Sequence, residues 1–358
     1  MSRVEAFKKM MRREGADRLF LDIWTTEPFL DKLEKHRGTR DVRKAYDIDF
    51  DTVYPDYTHD ASDWKAAYEA IGFHVPDNAT IGLFGFTNLT PSLETLGDAY
   101  HLREMAHPVA VVSEVTQLEA LPWPDVDSPK VYEKLKSQVE AIHAEDRVAV
   151  GSMACTVFES AWYLRGMDNL FIDLAENNPV GFWILDWFTH RSIQAVRAYG
   201  KAGCDVILLG DDIGTQRGML MGLDLWRNHF KPRLKAVVDE ARASATQAAV
   251  FYHSDGNVSD VLPELIETGI DILNPVQPEC MSLDDVAGKW GRHIGFWGMI
   301  GTQTTMPFGT PDDVKREVEN CAKWARQGVP IVVAPTHVIE PDVPIENVEA
   351  LVEAVRAF

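Results

Sequence analysis

The chain is short of cysteine, of long apolar runs and of positive charge. Its four cysteines, Cys155, Cys204, Cys280 and Cys321, are too widely spaced to suggest a disulfide framework. That usage points to a reducing compartment. No run of about eighteen apolar residues occurs, so no membrane-spanning helix is expected. Lys and Arg number 35 against 55 Asp and Glu, for a net charge of −20. Such a surface repels a phosphate backbone, and nucleic acid is not an expected partner. GxGxxG, P-loop and GxSxG patterns are missing, which weakens the case for nucleotide enzymes and serine hydrolases. No repeat of solenoid period is visible. The opening residues, Met1 to Ala6, hold no apolar signal segment, and a cytoplasmic location is expected.

What is present is a strand-and-helix rhythm. The 358 residues are 46% hydrophobic, enough for one large core. Residues 1–17 read as an amphipathic helix with Val4, Phe7, Met10 and Met11 on one face. Arg18–Trp24 reads as a strand, followed by a helix that starts in Thr25-Thr26-Glu27-Pro28 and runs towards Gly38. Residues 39–145 are less regular, with helices expected near 92–105 and 129–144. Strands then recur at Arg147–Met153, Asp205–Leu209, Ala248–Tyr252, Asp271–Asn274, Ile294–Trp297 and Val329–Ala334. Helical patterns separate them and Pro344–Ala357 closes the chain. One helix carries Trp226, Phe230, Leu234 and Val237 on a single face; another opens at Thr310-Pro311, with Thr as cap. A third is expected to begin at the cap Asn257, on the pattern Val258, Val261, Leu262, Leu265 and Ile266, and to stop at Gly269. Alternation of this kind implies a parallel sheet. The expected fold is an α/β, TIM-type (β/α)8 barrel with extra N-terminal helices and loops, forming one domain over residues 1–358. A doubly wound open sheet is the alternative.

In a barrel the carboxyl ends of the strands form one face, and the loops there build the site. Polar side chains follow each strand: Ser152 and Cys155; Asp211 and Asp212; His253 and Asp255; Asn274, Gln277, Glu279 and Cys280; Trp297, Thr302 and Gln303; Thr336 and His337. His253 and Asp255 are two apart across a turn and can face one mouth, with His337 after the last strand. His, carboxylate and thiolate are the donors zinc takes, so His253, His337, Asp255 and Cys280 form a possible ligand set. A capping histidine and a small buried cysteine are the plainer readings. Asp211-Asp212 offers a general base beside a carboxyl of raised pKa, or a helix cap. Glu159 and Tyr163, at i and i+4, share a helix face. With Trp162 they read as a pocket wall or as core packing. Trp297 could floor a flat ligand or simply fill the barrel. Gln216, Gln303 and Asn274 complete the polar residues expected to bind substrate.

Several segments resemble the uroporphyrinogen decarboxylase superfamily. They are Leu118-Glu119-Ala120-Leu121-Pro122-Trp123-Pro124-Asp125, Phe158-Glu159, Leu164-Arg165-Gly166-Met167-Asp168-Asn169-Leu170, Gly210-Asp211-Asp212 and Phe251-Tyr252-His253. The most specific runs from Ala334-Pro335-Thr336-His337 through Glu340-Pro341-Asp342 to Val348. The resemblance implies a TIM-type barrel with a deep cleft, and a homodimer. It implies one of two chemistries. True decarboxylases grip tetrapyrrole carboxylates with an arginine-rich N-terminal segment, whereas Trp24-Thr25-Thr26-Glu27-Pro28 holds no arginine. There, Asp211 or Asp212 would meet pyrrole N–H groups. The other branch transfers methyl groups with a corrinoid protein and holds zinc with a His-x-Cys turn and a late Cys. His253 matches the His, Asp255 stands in place of the first Cys and His337 in place of the late one. The resemblance therefore implies a zinc-dependent methyltransferase. It would demethylate a small O- or N-methyl donor and pass the methyl group to a corrinoid on a separate partner protein. Asp212 and Glu159 would orient the substrate or handle its proton. Alternatives are a metal-free decarboxylase and a non-catalytic ligand-binding barrel.

Overall fold

The computed structural model describes residues 1–89 and 104–358. Eight parallel strands form the barrel. They are β1 (Phe20–Leu21), β2 (Phe50–Val53), β3 (Val148–Met153), β4 (Val206–Gly210), β5 (Ala249–His253), β6 (Ile272–Asn274), β7 (Gly295–Trp297) and β8 (Ile331–Val333). Hydrogen bonds link β1 to β8 and then run back in order through β7, β6, β5, β4 and β3 to β2. Between β1 and β2 the ladder is replaced by two bonds at Asp49. Its backbone N donates to Leu21 O at 3.2 Å, and its carboxylate accepts from Leu21 N at 2.8 Å. The barrel is thereby nearly closed. The α/β, TIM-type expectation holds, and the open-sheet alternative falls because β1 and β8 are paired.

Except in β2, where Asp51 and Thr52 are polar and only partly buried, the strands are largely apolar on both faces, as parallel strands under helices are. Phe20, Phe50, Val148, Val150, Val206, Leu208, Ala249, Phe251, Ile272, Trp297 and Val332 pack together as one cluster that fills the barrel. Their strand neighbours, such as Leu21, Ala149, Ile207, Val250, Leu273 and Phe296, belong to a second core shared with the surrounding helices. The helix Arg3–Met11 stoppers the amino end. Its Phe7 meets Phe20 and Phe50 edge-on at 5.6 Å each. The apolar face read from the sequence thus faces the barrel, although the helix ends sooner than expected, at Met11.

Most later elements fall where the pattern puts them. Helices Phe158–Arg165, Met167–Glu176 and Pro179–Ala202 are separated at Gly166 and Pro179. Trp226, Phe230, Leu234 and Val237 are buried. Thr310 caps its helix reciprocally with Asp313. Gly269 ends a helix in the left-handed conformation. Three readings need correction. The first strand is two residues long, although Thr25 bridges to Ile339 beyond it. The helix after β5 starts at Leu262 instead of directly after Asn257, although Asn257 Oδ1 does accept from Ser259 N at 3.0 Å. The expected 129–144 helix opens as a 3-10 turn at Pro129–Tyr132 and becomes α-helical from Leu135. The helix expected near 92–105 lies mainly outside the described residues; Glu104–Ala106 is an antiparallel strand.

Candidate metal centre and active site

His253 is the last residue of β5, and its ring stands at the barrel mouth with little exposure. Gly210 on β4 makes room for it: a Cβ there would lie 2.6 Å from His253 Cβ. The chain then turns at Gly256, in the left-handed region at φ +83°, with no space for a side chain against Thr215 O. That turn returns Asp255 towards the mouth. His337 arrives from the loop after β8. Donor atoms of His253, Asp255 and His337 all lie within 4.8 Å of one another. His253 Nε2 is 3.9 Å from Asp255 Oδ1, and His337 Nε2 is 4.0 Å from Asp255 Oδ2. Asp212 borders the group, with Oδ1 3.6 Å from His253 Nε2 and 2.7 Å from Asp255 N.

The group behind His253 sets which nitrogen faces the mouth. Asn274 Nδ2 donates to Trp297 O at 2.8 Å, so its Oδ1 faces Nδ1 of His253, 2.5 Å away. An amide oxygen only accepts, so Nδ1 carries the hydrogen and the Nε2 lone pair looks into the mouth. This is how metal-binding histidines are oriented. Burial works against an imidazolium at His253. Asp255, Asp212 and Asn274 outweigh it and raise the pKa above the ordinary histidine value. The pocket therefore favours positive charge at Nε2. Two histidines and a carboxylate in this disposition fit a divalent ion with open positions.

Glu159, on the helix after β3, is buried and close enough to interact electrostatically with His253. Burial, with Asp212 and Asp211 adding repulsion, raises its carboxyl from 4.5 to about 8. Tyr163 donates its phenol hydrogen to Glu159 Oε1 at 2.7 Å. Cys155 Sγ lies 3.6 Å from the same phenol. Asp211 takes a different place. Its carboxylate accepts from Val157 N at 3.1 Å and from Glu159 N at 2.9 Å, capping the helix that carries Glu159. Burial nonetheless raises it from 3.8 to about 7.

The other expected residues are spread around the mouth. Gln216 and Gln303 bond to each other at 3.0 Å on its exposed rim. Trp297 is inside the barrel, its ring 4.2 Å from Phe50 and 5.1 Å from Phe251. Cys280 lies outside the group that His253, Asp255 and His337 form. A cavity of about 130 Å³ adjoins that group, walled by Asp255, Gln277, Thr302, Gln303, Thr336 and His337, with Glu340 and Asp342. Two features at the mouth were not singled out from the sequence. Trp24 stacks obliquely near His253 at 6.1 Å between ring centres. Asp22, after β1, is buried, and its carboxyl is raised from 3.8 to about 7 by burial. Both follow an unusually short strand and carried no positional signal.

A parallel barrel whose carboxyl-end mouth gathers His, Asp and Glu is the scaffold of a TIM-barrel enzyme class. Residues 64–358 match the family model "Uroporphyrinogen decarboxylase (URO-D)", and the chain belongs to that family. Among curated proteins it is 28% identical over 170 residues to "Methylcobamide:CoM methyltransferase MtaA" of Methanosarcina barkeri, covering 48% of this chain and 47% of that one. It is 25% identical over 164 residues to a uroporphyrinogen decarboxylase of Parasynechococcus marenigrum, covering 46% and 44%. The match thus spans about half the length of each curated relative. A solved methyltransferase from Methanosarcina mazei superposes over 100% of this chain and 99% of its own, with TM-score 0.64 and 19% identity. That likeness supports the fold.

Proposed function

We propose that the protein is a metal-assisted methyltransferase that removes a methyl group from a small O- or N-methyl compound and delivers it to the corrinoid of a separate carrier protein. The observation that carries this reading is the His253–Asp255–His337 group, with Nε2 of His253 held outward by Asn274. His253, Asp255 and His337 would hold the ion, zinc being the expected one, and Asp212 stands near enough to influence it. When bound, such an ion acts as a Lewis acid towards the donor's oxygen or nitrogen. The methyl–heteroatom bond breaks with its electron pair staying on the heteroatom, and that atom needs a proton. Glu159, held protonated at neutral pH by burial, can supply one from Oε2 while Oε1 accepts from Tyr163. Asp211 keeps Glu159 in position by capping its helix.

The test is direct. Purified protein is loaded with zinc, then mixed with cob(I)alamin as a surrogate acceptor and a panel of methoxyarenes and methylamines. Formation of the demethylated product, lost at least 100-fold in His253→Ala, supports the proposal. If no donor is demethylated and carbon dioxide is instead released from a uroporphyrinogen, the reading is wrong and decarboxylation takes its place.

A further inference from the structure

Arg191 is a buried cation that the proposed chemistry leaves unused, and unlike buried Arg165, which pairs with Asp173, it has no carboxylate in contact among the described residues. It sits on the helix Pro179–Ala202 and is 4% exposed. It forms no ion pair with any carboxylate among the described residues. Nη2 donates to Cys155 O at 2.8 Å and Thr156 O at 3.1 Å. The guanidinium carbon lies 5.0 Å from the ring centre of Phe84 and 5.2 Å from that of Phe188. Nε has no hydrogen-bond partner. Asp211 acts on it electrostatically but without ion-pair contact, and a buried guanidinium with an unmet donor and no carboxylate in contact is costly unless something else completes it.

A cavity supplies the room. About 280 Å³ opens beside Arg191, bounded by Tyr54, Tyr57, Phe84, Ser152, Met153 and Tyr199. Tyr54 and Ser152 close β2 and β3, so the cavity opens at the barrel mouth, where Tyr54 is 61% exposed. The Tyr199 hydroxyl already donates to Ser152 O at 2.6 Å. The walls are aromatic and aliphatic, with one cation and no lysine. With Nη2 committed to two backbone carbonyls, Arg191 has few donors to offer; a phosphate dianion would want several, whereas a carboxylate is satisfied by fewer. The volume lies just below the usual range for ligand pockets of about 300–1,000 Å³.

We propose that this cavity binds the carboxylate of a small organic monoacid, with Arg191 as its anion-binding residue and the aromatic walls around its apolar body. The site is separate from the His253–Asp255–His337 group, and the proposal holds whichever reaction that group performs. Calorimetry with benzoate and with its neutral isostere benzamide, on metal-free protein, provides the test. Benzoate binds the wild type at least tenfold more tightly than benzamide. Arg191→Met removes that preference and leaves benzamide affinity unchanged. Ala154→Phe, at an exposed cavity-lining position, weakens both ligands and remains informative should Arg191→Met fail to fold. Equal affinity for the two ligands, binding of neither at about 10 mM (roughly ten times the upper end of usual KM values), or unaltered benzoate binding in either variant overturns the proposal.

Discussion

The two ends of the barrel treat buried acid in opposite ways. At the amino end, Asp49 is fully buried but meets Arg18 at 2.6 Å and Arg3 and Arg356 at 3.2 Å each. Asp205 meets Lys8 at 3.2 Å and His143 at 2.7 Å. Asp271 is paired with Arg242. At the carboxyl end, Asp22, Asp211 and Glu159 are buried with no cation in salt-bridge contact among the described residues, and burial lifts them to about 7, 7 and 8. The first arrangement holds strands and helices together. The second keeps protons and unneutralised charge where a ligand, an ion or a reacting group can use them. The division matches the separation of stability and catalysis between the two faces of such barrels.

Breaking the amino-end network should give the largest effect on stability. Asp49→Ala leaves Arg3, Arg18 and Arg356 crowded without their shared acceptor and also removes the bond that joins β1 to β2. A loss of about 3–5 kcal/mol is expected in urea denaturation. A change confined to a few tenths would mean that the network is ornamental.

At the mouth the corresponding substitution acts on metal. Asn274→Ala removes the bond that orients His253 while leaving all three ion donors in place. Zinc affinity should fall by about 10–100-fold, as for other residues that support a metal ligand. Competition against a chromogenic chelator measures it, and an unchanged affinity would separate Asn274 from metal binding.

A third effect depends on pH. Glu159 titrates near 4.5 when unfolded and near 8 when folded. The folded state therefore keeps a proton that the unfolded state has lost. Its contribution to stability is fully present below about 4.5 and disappears as pH rises through about 8. The slope between those values is at most about 1.4 kcal/mol per pH unit for this one proton. Glu159→Gln should flatten that decline, seen as a smaller drop in melting temperature between pH 5 and pH 8 than in the wild type. A parallel decline in the two proteins would place the proton elsewhere. The smallest effect is expected at Cys280→Ser: metal content should match the wild type, since the thiol is outside the ligand group.

The same division governs what could be read from the sequence. The barrel was legible from β3 onward because its strands are runs such as Val206-Ile207-Leu208-Leu209, and its helices carry clear stops at Gly166 and Gly269. The first two strands were harder. Phe20–Leu21 is too short for a period to register, and Phe50–Val53 is interrupted by charge at Asp51 and preceded by Asp49. The meeting of His253 with His337 was legible because both follow strands, and parallel strands deliver their carboxyl ends to one face. Asp211 shows the limit. Its neighbour Asp212 borders the His253–Asp255–His337 group while Asp211 itself turns to cap a helix that begins at Phe158, accepting from Val157 N, 54 residues earlier in the chain. Adjacent identical residues carry no local signal of which one turns. Arg191 was invisible for a related reason: in a long amphipathic helix it reads as a surface residue, and only the packed structure shows it buried.

The central claim is that His253, Asp255 and His337 act together to hold one divalent ion. Elemental analysis of purified wild type, His253→Ala and His337→Ala, each equilibrated with equimolar zinc and desalted, tests it most directly. One zinc per wild-type chain and almost none in either variant is the predicted result. Equal zinc in all three proteins, or none in the wild type, would contradict it.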